Sequence, residues 1–284
     1  MRFFHISKPD GVGSHAAQSQ YLKSACEKRN LEYKRLVIGE VGPLDHLSID
    51  ITSKDVLYRS AVGNQAMILE KELLVSGCKS AHHNLELALA GRGSSYDLML
   101  RAGLPVIDSV PFLPKKKKDS IAVAKHLGGF PLIIKIMGGM EGVGVMRVDS
   151  IESFNSVIDF VRKDEKAIVR IMSYIKHDYY ARLVVVGDTV VAATRDYPPV
   201  GDFRGNARGP RDVKGAAFVP KSDMVADAVA ATQSLGVKAS GVDILITDRG
   251  HYIAEANLPF NFAETQKVTG VDIAQKLVDV LLES

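Results

Sequence analysis

The stretch GVDILITDRGHYIAEAN, residues 241–257, decides how this chain is read. Val242, Ile244 and Ile246 alternate along a first strand, Asp248-Arg249-Gly250 makes a turn, and Tyr252, Ile253 and Ala254 run back along a second strand. In that hairpin Asp243 falls near the start of the outgoing strand and Glu255 near the end of the returning one, so the two acids lie side by side. Asn257, two residues on, turns its amide oxygen the same way. Two carboxylates and an amide oxygen are hard donors that suit magnesium, with manganese as the alternative; such an ion takes its other oxygens from water and substrate phosphates. The hairpin alone leaves a second reading open, in which these are two solvated strand acids and a turn asparagine.

A second stretch, GGFPLIIKIMGGMEGVGVMRV at residues 128–148, bears on that choice. A buried strand over Leu132–Ile136 carries Lys135, a loop holds Gly138, Gly139, Gly142 and Gly144, and a further strand runs over Val145–Val148. Glycines let a backbone close over phosphates and present N–H groups to them, and a lysine on the adjoining strand adds a fixed positive charge. The loop lacks the Gly-Lys-Ser/Thr of a Walker sequence. It also leads into a strand rather than a helix, unlike a dinucleotide fingerprint.

From about residue 86 onward the chain resembles the RimK-like glutamate-ligase group of ATP-grasp carboxylate–amine ligases. The resemblance rests on PLIIKIMGGMEGVGV, VVVGDTVVAATR, GDFRGN, GVDIL, EAN and TGVDIA, in the family's order and near its spacing. It implies an α/β fold of the ATP-grasp type: an N-terminal parallel-sheet α/β domain over residues 1–85 and an ATP-grasp domain over residues 86–284. A small α+β lid subdomain is expected at about residues 112–170. The implied activity is ATP-dependent formation of an amide or peptide bond through an acyl phosphate, adding an amino acid such as glutamate to a small molecule or peptide. An ATP-grasp kinase, or an ATP-binding protein of the same fold without turnover, remains the alternative.

Carried over residue by residue, the resemblance places ATP at Arg92, Lys135, Gly139, Gly142, Gly144, Ser173, Tyr174, Arg204 and Asn206, and the metal at Asp243, Glu255 and Asn257. Arg182 and Arg204 are the expected catalytic cations, facing the γ-phosphate and the acyl phosphate. Several positions depart from the family. Arg92 stands where the family has a lysine, and an arginine fork is not an ammonium. Ser173 replaces the glutamate that holds the ribose, and Tyr180 replaces an acid. The sequence Ala207-Arg208-Gly209-Pro210 matches the family's His-Arg-Gly-Gly only in part.

The remainder of the chain sets bounds. Of 284 residues, 46% are hydrophobic and 24% charged, with 36 basic against 33 acidic, a balance that gives no argument for nucleic acid or membrane. Two cysteines, Cys26 and Cys78, offer no disulfide framework, and no apolar run reaches the roughly 18 residues of a membrane span. A cytoplasmic protein is expected, self-associating as a homo-oligomer, with a small-molecule or peptide carboxylate and an amine as its partners. The early residues alternate strands (3–6, 32–38, 55–59) with helices (14–29, 63–75), which implies a parallel sheet with helices on its faces. Ser14 is the expected N-cap of the first helix, with Ala17, Tyr21 and Ala25 on its inner face. Arg59 ends its strand where ligands collect in open α/β sheets, so it reads either as an anchor for a substrate carboxylate or as a surface arginine. Lys115–Lys118 reads as a solvated loop before a helix at 120–127.

Overall fold

The computed structural model describes residues 1–11, 15–42, 44–90, 95–136, 142–164, 167–204 and 215–283. Strand β1 (Arg2–Ser7), helix α1 (His15–Lys28), β2 (Glu32–Val37), β3 (Val56–Arg59), α2 (Asn64–Leu74) and β4 (Lys79–Ser80) build a parallel sheet in the order β2-β1-β3-β4. Alternation along β1 serves two cores. Phe4 and Ile6 join Leu57 and the α2 residues Leu69 and Leu73, while Phe3 joins Val56, Tyr58 and the α1 residues Leu22, Ala25 and Cys26.

The buried stripe of α1 differs from the expected one: it is Gln18, Ser19, Leu22, Ala25 and Cys26. The sequence pattern counts apolar residues, but the sheet presents polar groups as well. His5 is fully buried, with Nδ1 2.7 Å from the Tyr33 hydroxyl and Nε2 2.7 Å from the Ser60 hydroxyl. Burial, helped by the charge of Arg35, pushes the His5 pKa down to about 3, so the ring is neutral. Gln18 reaches out of this layer, donating to the Phe260 carbonyl at 3.3 Å and accepting from the Phe262 N–H at 3.4 Å. Ser14 lies outside the described residues. Cys26 and Cys78 are free and buried, and burial raises the Cys26 thiol to about 12.

Two antiparallel sheets follow. Helices α3 (Leu85–Ala90) and α4 (Ser95–Arg101) lead to β5 (Ser109–Val110), α5 (Lys117–His126), β6 (Leu132–Ile136), β7 (Val145–Val148), α6 (Ile151–Val161) and β8 (Val169–Ser173). Their strands form a lid sheet in the order β5-β8-β6-β7, packed on α5 and α6 through Leu132, Ile134, Phe154, Ile158 and Ile171. The lysine run is only partly loop, because Lys117 and Lys118 begin α5. Asp119 offsets their charge at the helix N-terminus by accepting from the Lys116 N–H at 3.0 Å. Ser150 caps α6, accepting from the Ser153 N–H at 3.3 Å.

The body sheet runs β11-β10-β9-β12-β13, from β9 (Tyr179–Val186), β10 (Thr189–Asp196), β11 (Ala216–Ala217), β12 (Ala239–Thr247) and β13 (Gly250–Asn257). Helix α7 (Ser222–Ser234) lies between β11 and β12 in the chain, while α8 (Ala263–Thr269) and α9 (Ile273–Leu282) follow β13. The short helix α8 was not expected from the sequence. Among the described residues no helix is long and apolar enough to cross a membrane.

Candidate active site

The hairpin read from the sequence is present: β12 and β13 pair antiparallel, with Asp243 directly opposite Glu255 and Gly241 opposite Asn257. One local feature makes that pairing work. Ile253 and Glu255 are two residues apart, so an unbroken strand would aim both at the same face. Ile253 belongs to the core, and Glu255 lines the cleft. The conflict is resolved by a register shift: Asp243 pairs with Glu255 but Ile244 pairs with Ile253, leaving Ala254 as a bulge residue. The Tyr96 hydroxyl, on α4, donates to the Ala254 carbonyl at 2.9 Å and so satisfies a group displaced from the ladder.

The lid sheet faces this hairpin. Leu132 and Ile134 point into the lid core, which turns Ile133 and Lys135 toward the cleft. Lys135 Nζ donates to Glu255 Oε2 at 3.2 Å across the gap. Gly144 closes the connection from β6 to β7 with φ +83°, and a Cβ there would meet the Ile136 carbonyl oxygen at 3.2 Å, so both conformation and space call for glycine. Arg182, directly opposite Asp243 on β9, donates to it twice, Nε to Oδ1 at 2.8 Å and Nη2 to Oδ2 at 2.6 Å. Asp243 holds the Arg182 guanidinium pKa above its ordinary value.

The walls divide by chemistry. Ile107, Ile133, Met172 and Leu245, packed in one cluster, make an apolar end suited to a flat ring, while Lys135, Arg204, Asp243 and Glu255 supply the charge. Phe203 stands beside Arg204, whose guanidinium lies 5.9 Å from its ring centroid. The Phe203 and Tyr174 rings meet edge to face at 6.4 Å, and the Arg147 guanidinium lies 4.7 Å over Tyr174. Ser173 lines the cleft, but its hydroxyl donates to the Leu127 carbonyl at 2.9 Å. Arg204 donates from Nη1 to the Gly142 carbonyl at 3.1 Å, which ties residue 204 to the edge of the glycine loop.

The structure therefore brings Lys135, Gly142, Ser173, Tyr174, Arg204, Asp243 and Glu255 to one cleft, with Arg182 behind Asp243. Asn257 shares the face of Glu255 without lining the cavity. Arg92, Gly139 and Asn206 lie outside the described residues. Arg59 requires a correction, since it neither lies on the surface nor lines this cleft. Its side chain is buried, with Nε on Glu70 Oε2 at 2.7 Å and Nη1 on the Ala61 carbonyl at 2.8 Å. Strand β3 is covered on the α2 side, so the strand end that looks open in sequence is sealed by Glu70 of α2.

The donors fit a hard divalent cation. Among the described residues no three His, Cys, Asp or Glu side chains cluster; Asp243 and Glu255 supply two carboxylates, and the Asn257 amide on the face of Glu255 offers a third oxygen. Each carboxylate already attracts a cationic side chain, Arg182 or Lys135, and each retains lone pairs for a further cation. The sequence reading did not find the apolar wall or Asp202, the partner of Arg204. The signal for Asp202 was its place two residues before Arg204 in GDFRGN.

Two facing antiparallel sheets, a glycine connection on one and paired acids on the other, define an ATP-grasp fold. The chain belongs to the RimK-like ATP-grasp domain family, which matches residues 92–281. It is similar to a probable alpha-L-glutamate ligase of Citrobacter koseri and to the ribosomal protein bS6–L-glutamate ligase of Escherichia coli K12. Each is 33% identical over 187 residues, or 65% of this chain, and the match spans only 60% of each relative's length. The solved structure of the ATP-grasp ligase PsnB, complexed with a phosphomimetic variant of its minimal precursor, Mg and ADP, superposes with a TM-score of 0.69. That match has 16% identity and covers 100% of this chain and 98% of the other.

Proposed function

We propose that this protein is an ATP-dependent carboxylate–amine ligase that forms an amide or peptide bond through an acyl phosphate. The observation that carries the reading is Lys135 facing Glu255 across the cleft at 3.2 Å, a phosphate-seeking cation beside the acids of a metal site. The apolar end takes the adenine ring, and the Phe203 and Tyr174 rings line the same cleft. Lys135 turns to the α/β-phosphates, and Arg204 faces the γ-phosphate. Asp243, Glu255 and Asn257 would hold magnesium, which when bound neutralises phosphate charge.

In the first step a substrate carboxylate oxygen attacks the γ-phosphorus of ATP, and ADP leaves. The amine then attacks the acyl carbon, and the tetrahedral intermediate expels inorganic phosphate while the amine proton passes to that phosphate or to solvent. Negative charge gathers on the transferring phosphoryl group, so cations fixed beforehand stabilise the transition states more than the ground states. Arg182 is fixed by two bonds to Asp243, and its role is to orient that carboxylate. The glycine connection beside β6 excludes water from the acyl phosphate.

The amine is an amino acid such as glutamate, the carboxylate belongs to a small molecule or peptide, and the setting is cytoplasmic. The first of these is supported by the names of the relatives, each called a glutamate ligase, of whose length the match spans 60%. The test is ADP and phosphate release with a panel of amino acids and small carboxylic acids, ATP and magnesium. Release that requires both carboxylate and amine is expected. ADP formation with a carboxylate or alcohol alone, giving a stable phosphorylated product, would identify a kinase. ATP binding without any turnover across the panel would identify a binding protein.

A further inference from the structure

Arg204 does not stand alone at the charged end of the cleft. Asp202 Oδ1 accepts from the Arg204 backbone N–H at 2.9 Å and from Nε at 2.9 Å, and Asp202 Oδ2 accepts from Nη2 at 2.6 Å. Both side chains are partly shielded, 19% and 32% exposed, so this is more than a solvated surface pair. The hydrogen bonds from Arg204 hold the Asp202 carboxyl at about 2, ionised throughout the working range. A guanidinium carries five N–H donors in a rigid fork. Asp202 closes the Nε/Nη2 edge, which leaves the Nη1/Nη2 end as the only edge that can address an anion. The group now at that end is an oxygen, the Gly142 carbonyl, 3.1 Å from Nη1.

We infer that Asp202 is a positioning residue for Arg204, fixing the guanidinium so that its Nη1/Nη2 end is presented to the transferring phosphoryl group. The inference rests on the ligase reading above. Asp202 touches no reacting atom. By binding both the backbone N–H and the side chain of the residue two positions on, it removes the rotamer freedom that Arg204 would otherwise lose in the transition state. Its effect should therefore fall on turnover rather than on ATP binding, and should vanish when no guanidinium is there to orient.

A double-mutant cycle reads this directly, with kcat and the KM for ATP measured at saturating magnesium and an accepted carboxylate and amine. Asp202→Asn keeps the shape and removes the charge; kcat is expected to fall about tenfold, with KM for ATP within about twofold of the parent. Arg204→Lys is expected to lower kcat about a hundredfold. The double variant should then be no worse than Arg204→Lys alone, since lysine offers no fork for Asp202 to hold. Parent-like kcat in Asp202→Asn, a raised KM with unchanged kcat, or losses that multiply in the double variant would each overturn the assignment. If Asp202→Asn does not fold, judged by its thermal melt, Asp202→Ser replaces it with the same expectations. Should Arg204→Lys be harmless while the parent still shows amine-dependent turnover, this inference fails and the ligase reading stands. A parent without amine-dependent phosphate release ends both.

Discussion

The N-terminal sheet and the cleft each hold an arginine–carboxylate network, and they differ in what can reach them. Arg59 and Glu70 are about nine-tenths buried, and His82 Nε2 lies 3.3 Å from the other Glu70 oxygen. Burial alone would raise the Glu70 pKa, but His82 and Arg59 outweigh it and hold the carboxyl below its ordinary value. Nothing from solvent can take the place of either partner. The cleft pairs, Lys135 with Glu255 and Arg204 with Asp202, use the same chemistry at 19–32% exposure, where an arriving phosphate or metal can compete for them. A sealed pair fixes a fold, whereas an open pair leaves a partner or a free donor edge within reach of what enters the cleft. The comparison also explains why a strand-end arginine misleads when read from sequence: chain position does not say whether a carboxylate from the next helix will cover it.

Substitution can break this comparison, and the largest effect belongs to the open side. Glu255→Ala should abolish magnesium-dependent turnover while leaving the thermal melt close to the parent's, because a cleft carboxylate contributes little to the core. Near-normal activity in that variant would remove the metal assignment. On the sealed side the consequence reverses. Glu70→Ala strands a buried guanidinium and should cost about 3–5 kcal/mol in denaturant unfolding, with turnover per folded molecule unchanged. A loss under about 1 kcal/mol would mean water reaches Arg59 and the network is not sealed.

Arg204→Lys tests whether the open pairs are catalytic rather than merely solvated. The expected loss is about 3 kcal/mol of transition-state stabilisation, seen as lower kcat with little change in ATP affinity. Equal turnover in variant and parent would sink that role.

The smallest effect sharpens the sealed side by pH. His5 has its pKa lowered to about 3, so between the ordinary value near 6.5 and that value the unfolded chain binds a proton that the folded one does not. Stability should therefore fall as pH drops below 6.5. The single-site contribution is on the order of 2 kcal/mol between pH 6.5 and 5. His5→Gln should flatten this part of the pH–stability curve; an unchanged slope would mean that His5 is not the group responsible.

Much of the site was legible because its signals are local. Apolar alternation at Val242, Ile244 and Ile246, a turn at Asp248–Gly250, and a lysine followed by glycines each follow from backbone geometry over a few residues. Those rules gave the hairpin that carries Asp243 on its outgoing strand and Glu255 on its returning one, and the strand that carries Lys135. The early alternation of strand and helix likewise implied the parallel sheet.

Other features were decided only by elements meeting in space. Lys135 and Glu255 are 120 residues apart, and no spacing rule connects them. The bulge at Ala254 arises because Ile253 must enter the core beneath β12 while Glu255 must face the lid, a conflict that exists only once both neighbours are in place. Gln18 is buried on α1 because the Phe260 carbonyl and the Phe262 N–H, far away in the chain, give its amide partners that an apolar count cannot see. Arg59 is sealed by a carboxylate of α2, and Arg204 is oriented by one from its own segment. A sequence sets which face a side chain takes along its own strand or helix; which charge it finds there depends on the packing of the other elements, because burial and distance set the strength of every ion pair.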